Sequence, residues 1–233
     1  MTGRAVDTQF EALRAFTFLT SLRAEWGGAL IVACGLGASG EALSIAANIA
    51  GGCFLGIDAR VEACRAAMRS GACDFVVNTV DEALRVLKNE VRKRKPVSVA
   101  LQMDEAAALG QLVERGVLPE MFTAFVEMQA AQEAAEQFDS LGAAVVRFGG
   151  LQCEGMDAEA RLEGFTAECG LKLESLMFAN GTELRAADEA LLKVVSEGDP
   201  RRRWFASASR FFHRERPHRR VGYLTQAERE RLV

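Results

Sequence analysis

A chain of 233 residues with 49% hydrophobic content is long enough for one large domain or two small ones, each with a buried core. With 26% charged residues, 21 glycines and 4 prolines, the composition excludes disordered, collagen-like and low-complexity proteins. The net charge of -4 argues against a general nucleic-acid binder. No apolar run approaches the roughly 20 residues that cross a bilayer, so no membrane partner is expected.

The N-terminus and the cysteines indicate a reducing compartment. Residues 1–7 lack the apolar stretch of a secretory signal, so we expect a cytoplasmic protein. The cysteines never occur as Cys-x-x-Cys and lie mostly in apolar or alanine-rich segments, which predicts reduced, buried thiols at Cys34, Cys53, Cys64, Cys73, Cys153 and Cys169. Only His213 and His218 could add imidazole ligands, and no zinc spacing is present, so no metal site is predicted.

The pattern of apolar residues predicts an α/β fold. Residues 8–25 carry apolar side chains at helical spacing, which predicts a leading amphipathic helix. Short apolar runs then alternate with helical segments. The predicted strands are 29–34, 53–57, 75–77, 97–101 and 143–148, and the predicted helices are 41–50, 60–70, 80–93, 105–115 and 126–141. Near-continuous apolarity is typical of strands covered on both faces, so we predict a Rossmann-like, doubly wound parallel sheet with helical N- and C-terminal additions.

These patterns divide the chain into three parts. We expect a helical segment at 1–25, a dinucleotide-binding domain at 26–150 and an extension at 151–233, in which the topology of 151–200 is not predicted. Residues 201–233 hold ten arginines and three glutamates, interleaved with aromatic residues. Such a segment could bind RNA, but we favour a helix whose aromatic residues dock on the core while its arginines are solvated or pair with the acidic body. Met121, Phe122, Phe125 and Met128 are interpreted as core packing.

One motif carries a specific chemistry. Residues 35–40 read Gly-Leu-Gly-Ala-Ser-Gly, directly after a predicted strand and before a predicted helix. Gly35 allows the tight turn, Gly37 lets the backbone approach a pyrophosphate, and Gly40 allows close packing of helix on strand. The cofactor-binding candidates are therefore Gly35, Leu36, Gly37, Ala38, Ser39 and Gly40.

The second half of this dinucleotide motif is an acidic residue after the next strand. Asp58 lies 18 residues after Gly40, where its carboxylate can accept hydrogen bonds from ribose hydroxyls and favour NAD over NADP. Arg60 weakens that preference for NAD. In the alternative interpretation the glycines only form a turn and Asp58 caps the following helix. A further objection is Glu41, whose carboxylate in the first helical turn could occupy the place of a phosphate.

At this motif and around it the sequence resembles the urocanase family, whose members hold NAD as an electrophilic prosthetic group. The resemblance covers about residues 8–150, with its best segments at 28–37, 46–51, 80–84, 96–101 and 112–119. Residues 138–150 and 211–229 are similar more weakly. The resemblance implies a Rossmann-like fold that binds NAD through residues 35–40 and Asp58, which replaces the family's usual Glu.

The sequence also departs from that family. Gly40-Glu41 stands in place of a Gly-Gly pair, Asp104-Glu105 in place of Asn-Ala, and 125–129 in place of a polar Gln-Thr-Ser-Ala-His stretch. The family's catalytic cysteine would fall near Val221. Urocanate hydration is therefore not expected, and the catalytic residues of any other reaction are unknown.

Three hypotheses follow from these features. The first is a urocanase-like domain that keeps the pocket and binds NAD without hydrating urocanate. The second is a non-catalytic interaction protein in which Glu41 fills the phosphate site and the arginine-rich tail contacts a partner or a second copy of the chain. The third is an NAD-dependent enzyme with hydratase- or lyase-like chemistry on an unidentified small molecule.

Overall fold

The computed structural model describes residues 7–148 and 155–232. The first stretch alternates helices and strands as predicted. Its elements are α1 Thr8–Leu22, β1 Leu30–Cys34, α2 Ala38–Ala50, β2 Cys53–Ile57, α3 Val61–Ser70, β3 Phe75–Val77, α4 Val80–Lys93, β4 Val97–Leu101, α5 Glu105–Glu114, β5 Met121–Ala124, α6 Gln129–Ser140 and β6 Ala144–Arg147.

The remaining elements belong to the region whose topology was not predicted and to the tail. They are β7 Met156–Asp157, α7 Ala158–Glu168, β8 Lys172–Phe178, α8 Gly181–Val194, α9 Arg201–Phe212, β9 His218–Leu224 and α10 Gln226–Glu230. β7 joins the edge of the main sheet beside β6, while β8 and β9 form a separate antiparallel pair.

The main sheet is parallel and doubly wound, which confirms the predicted fold class. Its seven strands lie in the order β3-β4-β2-β1-β5-β6-β7. The chain builds outward from β1 through β2 and then crosses to β5 on the other side of β1. The switch point between β1 and β5 is where open α/β sheets bind ligands, outside the carboxyl ends of the strands.

β5 was missing from the predicted strands. Met121 and Phe122 are fully buried, so their interpretation as core residues is confirmed, but they belong to a strand that pairs with β1. β5 contains neither Val nor Ile, whereas every predicted strand contains at least one of them, so it lacked the β-branched apolar signal. The helix predicted at 126–141 begins at Gln129, because the residues before it connect β5 to α6.

Two hydrophobic clusters explain why the central strands are apolar at almost every position. Ile31 and Ala33 of β1 face the cluster that holds α1 and α2, while Val32 and Cys34 face the cluster that holds α4, α5 and α6. Because side chains alternate along a strand, covering both faces requires apolar residues throughout.

The cysteines are mostly core residues, as predicted. Cys34, Cys53, Cys64 and Cys73 are buried free thiols, while Cys169 is exposed, contrary to expectation, at the end of α7. Cys153 lies outside the described residues. Burial raises the pKa of the Cys53 and Cys64 thiols to about 11 and that of Cys73 to about 12. These thiols therefore stay protonated and unreactive at neutral pH.

The arginine-rich tail docks on the body through its aromatic residues. Trp204 of α9 is fully buried, and its indole N–H donates to the Val221 carbonyl at 2.8 Å. Phe205 and Phe212 are buried beside it. Several arginines pair with acidic residues: Arg201 with Asp199 and Glu228, Arg203 with Glu25, Arg210 with Asp74, Arg219 with Asp7, and Arg220 with Asp188. The aromatic residues therefore dock on the core and several arginines pair with acidic residues, as expected, but the tail is not the single helix that was predicted, because Arg219 and Arg220 lie in β9. Within the described residues, no helix is long and apolar enough to span a bilayer.

Candidate functional site

The glycine motif forms the turn between β1 and α2. Gly35 has φ +93°, in the left-handed region that favours glycine. A Cβ placed on Gly40 would lie 2.1 Å from the Gly35 carbonyl oxygen, so any side chain at 40 would push the helix away from the turn. A Cβ on Gly37 would meet nothing within 4 Å, because the tip of the turn faces open space.

The N-terminus of α2 is open to an anion. Gly37 is the N-cap and has no side-chain cap hydrogen bond within the described chain, and Ala38 and Ser39 are exposed. The first amides of a helix have no partner inside the helix, and the helix dipole adds a partial positive charge there. The turn therefore offers exposed N–H groups where a phosphate could be bound.

Glu41 does not occupy this place, which contradicts the alternative in which its carboxylate fills the phosphate site. Its Oε2 accepts a hydrogen bond from the Ser70 hydroxyl at 2.9 Å, at the end of α3. The side chain thus ties α2 to α3 instead of closing the turn.

Leu36 anchors the turn from inside. Its side chain is buried and packs on Gly56 of β2, where a Cβ would lie 2.3 Å from Leu36 Cδ2. Its backbone N–H donates to Asp58 Oδ2 at 2.7 Å. The role of Gly56 was not predicted, although a lone glycine inside an apolar strand is a signal of close approach.

Asp58 is fully buried, and Arg60 holds both of its carboxylate oxygens. Oδ1 accepts from the Arg60 backbone N–H and from Nε, both at 2.9 Å. Oδ2 accepts from Arg60 Nη2 at 2.7 Å in addition to the Leu36 N–H. Burial opposes ionisation, but these hydrogen bonds outweigh it and lower the pKa of the carboxyl below its usual value of 3.8. All of the roughly four acceptor positions of this carboxylate are therefore in use.

Asp58 is consequently more than a cap for the following helix. The N-cap of α3 is Arg60, which has no side-chain cap bond among the described residues, and Asp58 receives its N–H. Glu105, at the start of α5, accepts from the Ala59 N–H at 3.1 Å. The carboxyl end of β2 is thus surrounded by two carboxylates and one guanidinium, a local charge of about -1.

The other side of the switch point is aromatic. Phe125 and Val126 follow β5, and a Cβ on Gly35 would lie 3.2 Å from Val126 Cγ1 and 3.4 Å from Phe125 Cβ. Beyond Phe125 lies a cavity of about 350 Å³ whose wall includes Ser39 of α2. Among the described residues no group of three or more acidic, histidine or cysteine side chains is placed to hold a metal ion.

Residues 8–134 match the urocanase Rossmann-like domain family, over more than half of the chain. The chain belongs to this family. Among solved structures it is similar to the plantazolicin methyltransferase BpumL in complex with SAH, with 14% identity and a TM-score of 0.33. That similarity covers 97% of this chain and 62% of the methyltransferase chain, so this chain spans less than two thirds of its length.

Two further positions bear on a urocanase-family protein. Val221, which the resemblance aligns with the family's catalytic cysteine, is a buried residue of β9. Phe125 is the first residue of a stretch that is polar in the family. In this chain its side chain lies against the glycine turn. Rossmann-like domains in general bind dinucleotides at the turn that follows the first strand.

The different surroundings of Gly40 and Gly37 predict opposite responses to substitution. Gly40→Ala should lower the free energy of unfolding by about 3 kcal/mol, because its Cβ collides with a backbone oxygen. Gly37→Val should cost less, about 1 kcal/mol, because the site is open and the loss is that of replacing a favourable N-cap residue. Urea denaturation of both variants measures the difference, and equal losses would contradict this geometry.

Proposed function

We propose that this urocanase-family chain binds NAD across the switch point and does not hydrate urocanate. The observation that carries the proposal is the uncapped N-terminus of α2 above the open Gly37. A pyrophosphate there would accept hydrogen bonds from the exposed amides of Ala38 and Ser39, at the positive end of the helix dipole.

The open helix terminus can receive the pyrophosphate of NAD directly, but the ribose reaches Asp58 only when the Arg60 side chain moves away. Ribose hydroxyls can donate to Asp58 only after Arg60 gives up its contacts, because every acceptor position of the carboxylate is taken. The Arg60 side chain is 65% exposed and can move into solvent, and the ribose hydroxyls would then replace the two guanidinium hydrogen bonds that the buried Asp58 loses. The local negative charge favours a ribose hydroxyl over a 2′-phosphate, and therefore NAD over NADP.

Bound NAD would supply an electrophilic pyridinium ring. The residues of this chain would hold the pyrophosphate at the helix terminus and the ribose at Asp58. Val221 supplies no nucleophile and is buried in β9, so we do not propose the family's hydration reaction. That the chain forms a homo-oligomer and that it binds a small-molecule ligand are predictions.

Gly37→Val tests the proposed site. A branched side chain would project into the space meant for the pyrophosphate, so NAD affinity should fall by at least about tenfold while the fold is kept. Isothermal titration with NAD measures this, and urea denaturation of the same variant is the control. Unchanged NAD affinity in the folded variant, or no NAD binding by the parent chain, would reject the proposal.

Arg60→Ala tests the ribose side. Removing the guanidinium frees acceptor positions on Asp58, so NAD should bind several-fold more tightly. NADP should bind more weakly, because the cation is lost and two carboxylates are left. Titration with both dinucleotides gives the ratio of affinities, and Arg69→Gln, at an exposed position on α3, is the matched control. An equal loss for both ligands would show that Arg60 contacts a part common to NAD and NADP.

A further inference from the structure

The cavity beside the glycine turn has its own chemistry. It lies among α1, α2, α7 and the residues that follow β5 and β6, and its volume of about 350 Å³ is at the lower end of small-molecule pockets. Its size suits a compact ligand.

One wall of the cavity is aromatic. The rings of Phe18 and Phe148 are 5.2 Å apart between centroids in an edge-on arrangement, and those of Phe125 and Phe148 are 5.9 Å apart. Such a cluster offers apolar contact to an aliphatic or aromatic group.

Three of the charged side chains around the cavity are committed to partners. Arg14 forms an ion pair with Glu159, linking α1 to α7. Asp157 accepts a hydrogen bond from the Ala160 N–H at 3.0 Å and so caps α7. Arg14, Glu159 and Asp157 therefore already have partners within the protein.

Two charged groups of opposite sign are left. The Glu11 carboxylate is partly buried and makes no hydrogen bond or ion pair within residues 7–148 and 155–232. Arg147 is only loosely paired: its Nη2 forms an ion pair with Asp157 Oδ2 at 3.7 Å, beyond hydrogen-bond distance, and its buried Nε has no hydrogen-bond partner among the described residues. The Arg147 Nε is buried without a partner, which is costly, whereas the Glu11 carboxylate is open to the cavity and to solvent. Each can be paired by a ligand group of opposite charge.

We propose that this cavity binds a zwitterion of the α-amino acid class. Glu11 would hold the ammonium group, Arg147 the carboxylate, and the phenylalanine wall an apolar or aromatic side chain. A ligand with only one charge would contact either Glu11 or Arg147 but not both, which is why one carrying both charges fits the cavity better. The site does not require NAD to be bound.

The test is isothermal titration of the full chain with L-phenylalanine and with two ligands that each carry one of its two charged groups. 2-Phenylethylamine has only the ammonium group, and 3-phenylpropionate has only the carboxylate. L-Phenylalanine should bind at least about tenfold more tightly than either. Glu11→Gln should weaken L-phenylalanine and 2-phenylethylamine by about tenfold or more and leave 3-phenylpropionate unchanged. Arg147→Gln should weaken L-phenylalanine and 3-phenylpropionate and leave 2-phenylethylamine unchanged, while Arg147→Lys should keep part of the affinity.

The controls are Glu163→Gln and Arg69→Gln, at exposed positions outside the cavity, which should alter none of the three affinities. Gly37→Val should also keep L-phenylalanine binding, so failure of the NAD proposal and failure of this one are distinguishable. The proposal is overturned if neither L-phenylalanine nor L-leucine binds at about 10 mM. It is equally overturned if the two cavity variants weaken all three ligands alike.

Discussion

The close approach of α2 to the turn after β1 is the constraint on which the site depends. The helix can sit against the Gly35 carbonyl only because residue 40 has no side chain. In this position the tip of the turn is left open while Leu36 is buried beneath it. Leu36 in turn requires a glycine at position 56 and directs its N–H to Asp58. One packing contact therefore links the phosphate site to the acidic residue at the end of the neighbouring strand.

The two sides of the switch point differ in character. The β2 side carries ionised groups that satisfy one another, with Arg60 covering the buried Asp58. The β5 side carries aromatic residues and a cavity in which, among the described residues, Glu11 makes no hydrogen bond or ion pair and the Arg147 Nε has no hydrogen-bond partner. A ligand arriving on the first side must displace an existing contact, whereas one entering on the second gains contacts that are not yet made.

Much of the fold could be predicted because both faces of the sheet are covered, so β2, β3 and β4 were placed at their observed bounds. β5 was missed because it contains neither Val nor Ile, and β8 was missed because its exposed residues break the apolar pattern. The glycine motif could be recognised from its position after β1. The direction of the charged side chains could not be predicted. The Glu41 carboxylate is bound by Ser70, 29 residues away in the sequence, and the Arg60 guanidinium is bound to Asp58. The cavity also could not be predicted, since its wall comes from α1, α2, α7 and two strand ends.

The central claim is that NAD binds with its pyrophosphate at the N-terminus of α2. The most direct measurement is an amide proton–nitrogen NMR titration of the isotope-labelled chain with NAD. The account predicts that the backbone amides of Gly37, Ala38 and Ser39 show the largest shifts, because hydrogen bonds to phosphate form there. Shifts confined to other parts of the chain, or none at saturating NAD, would contradict it.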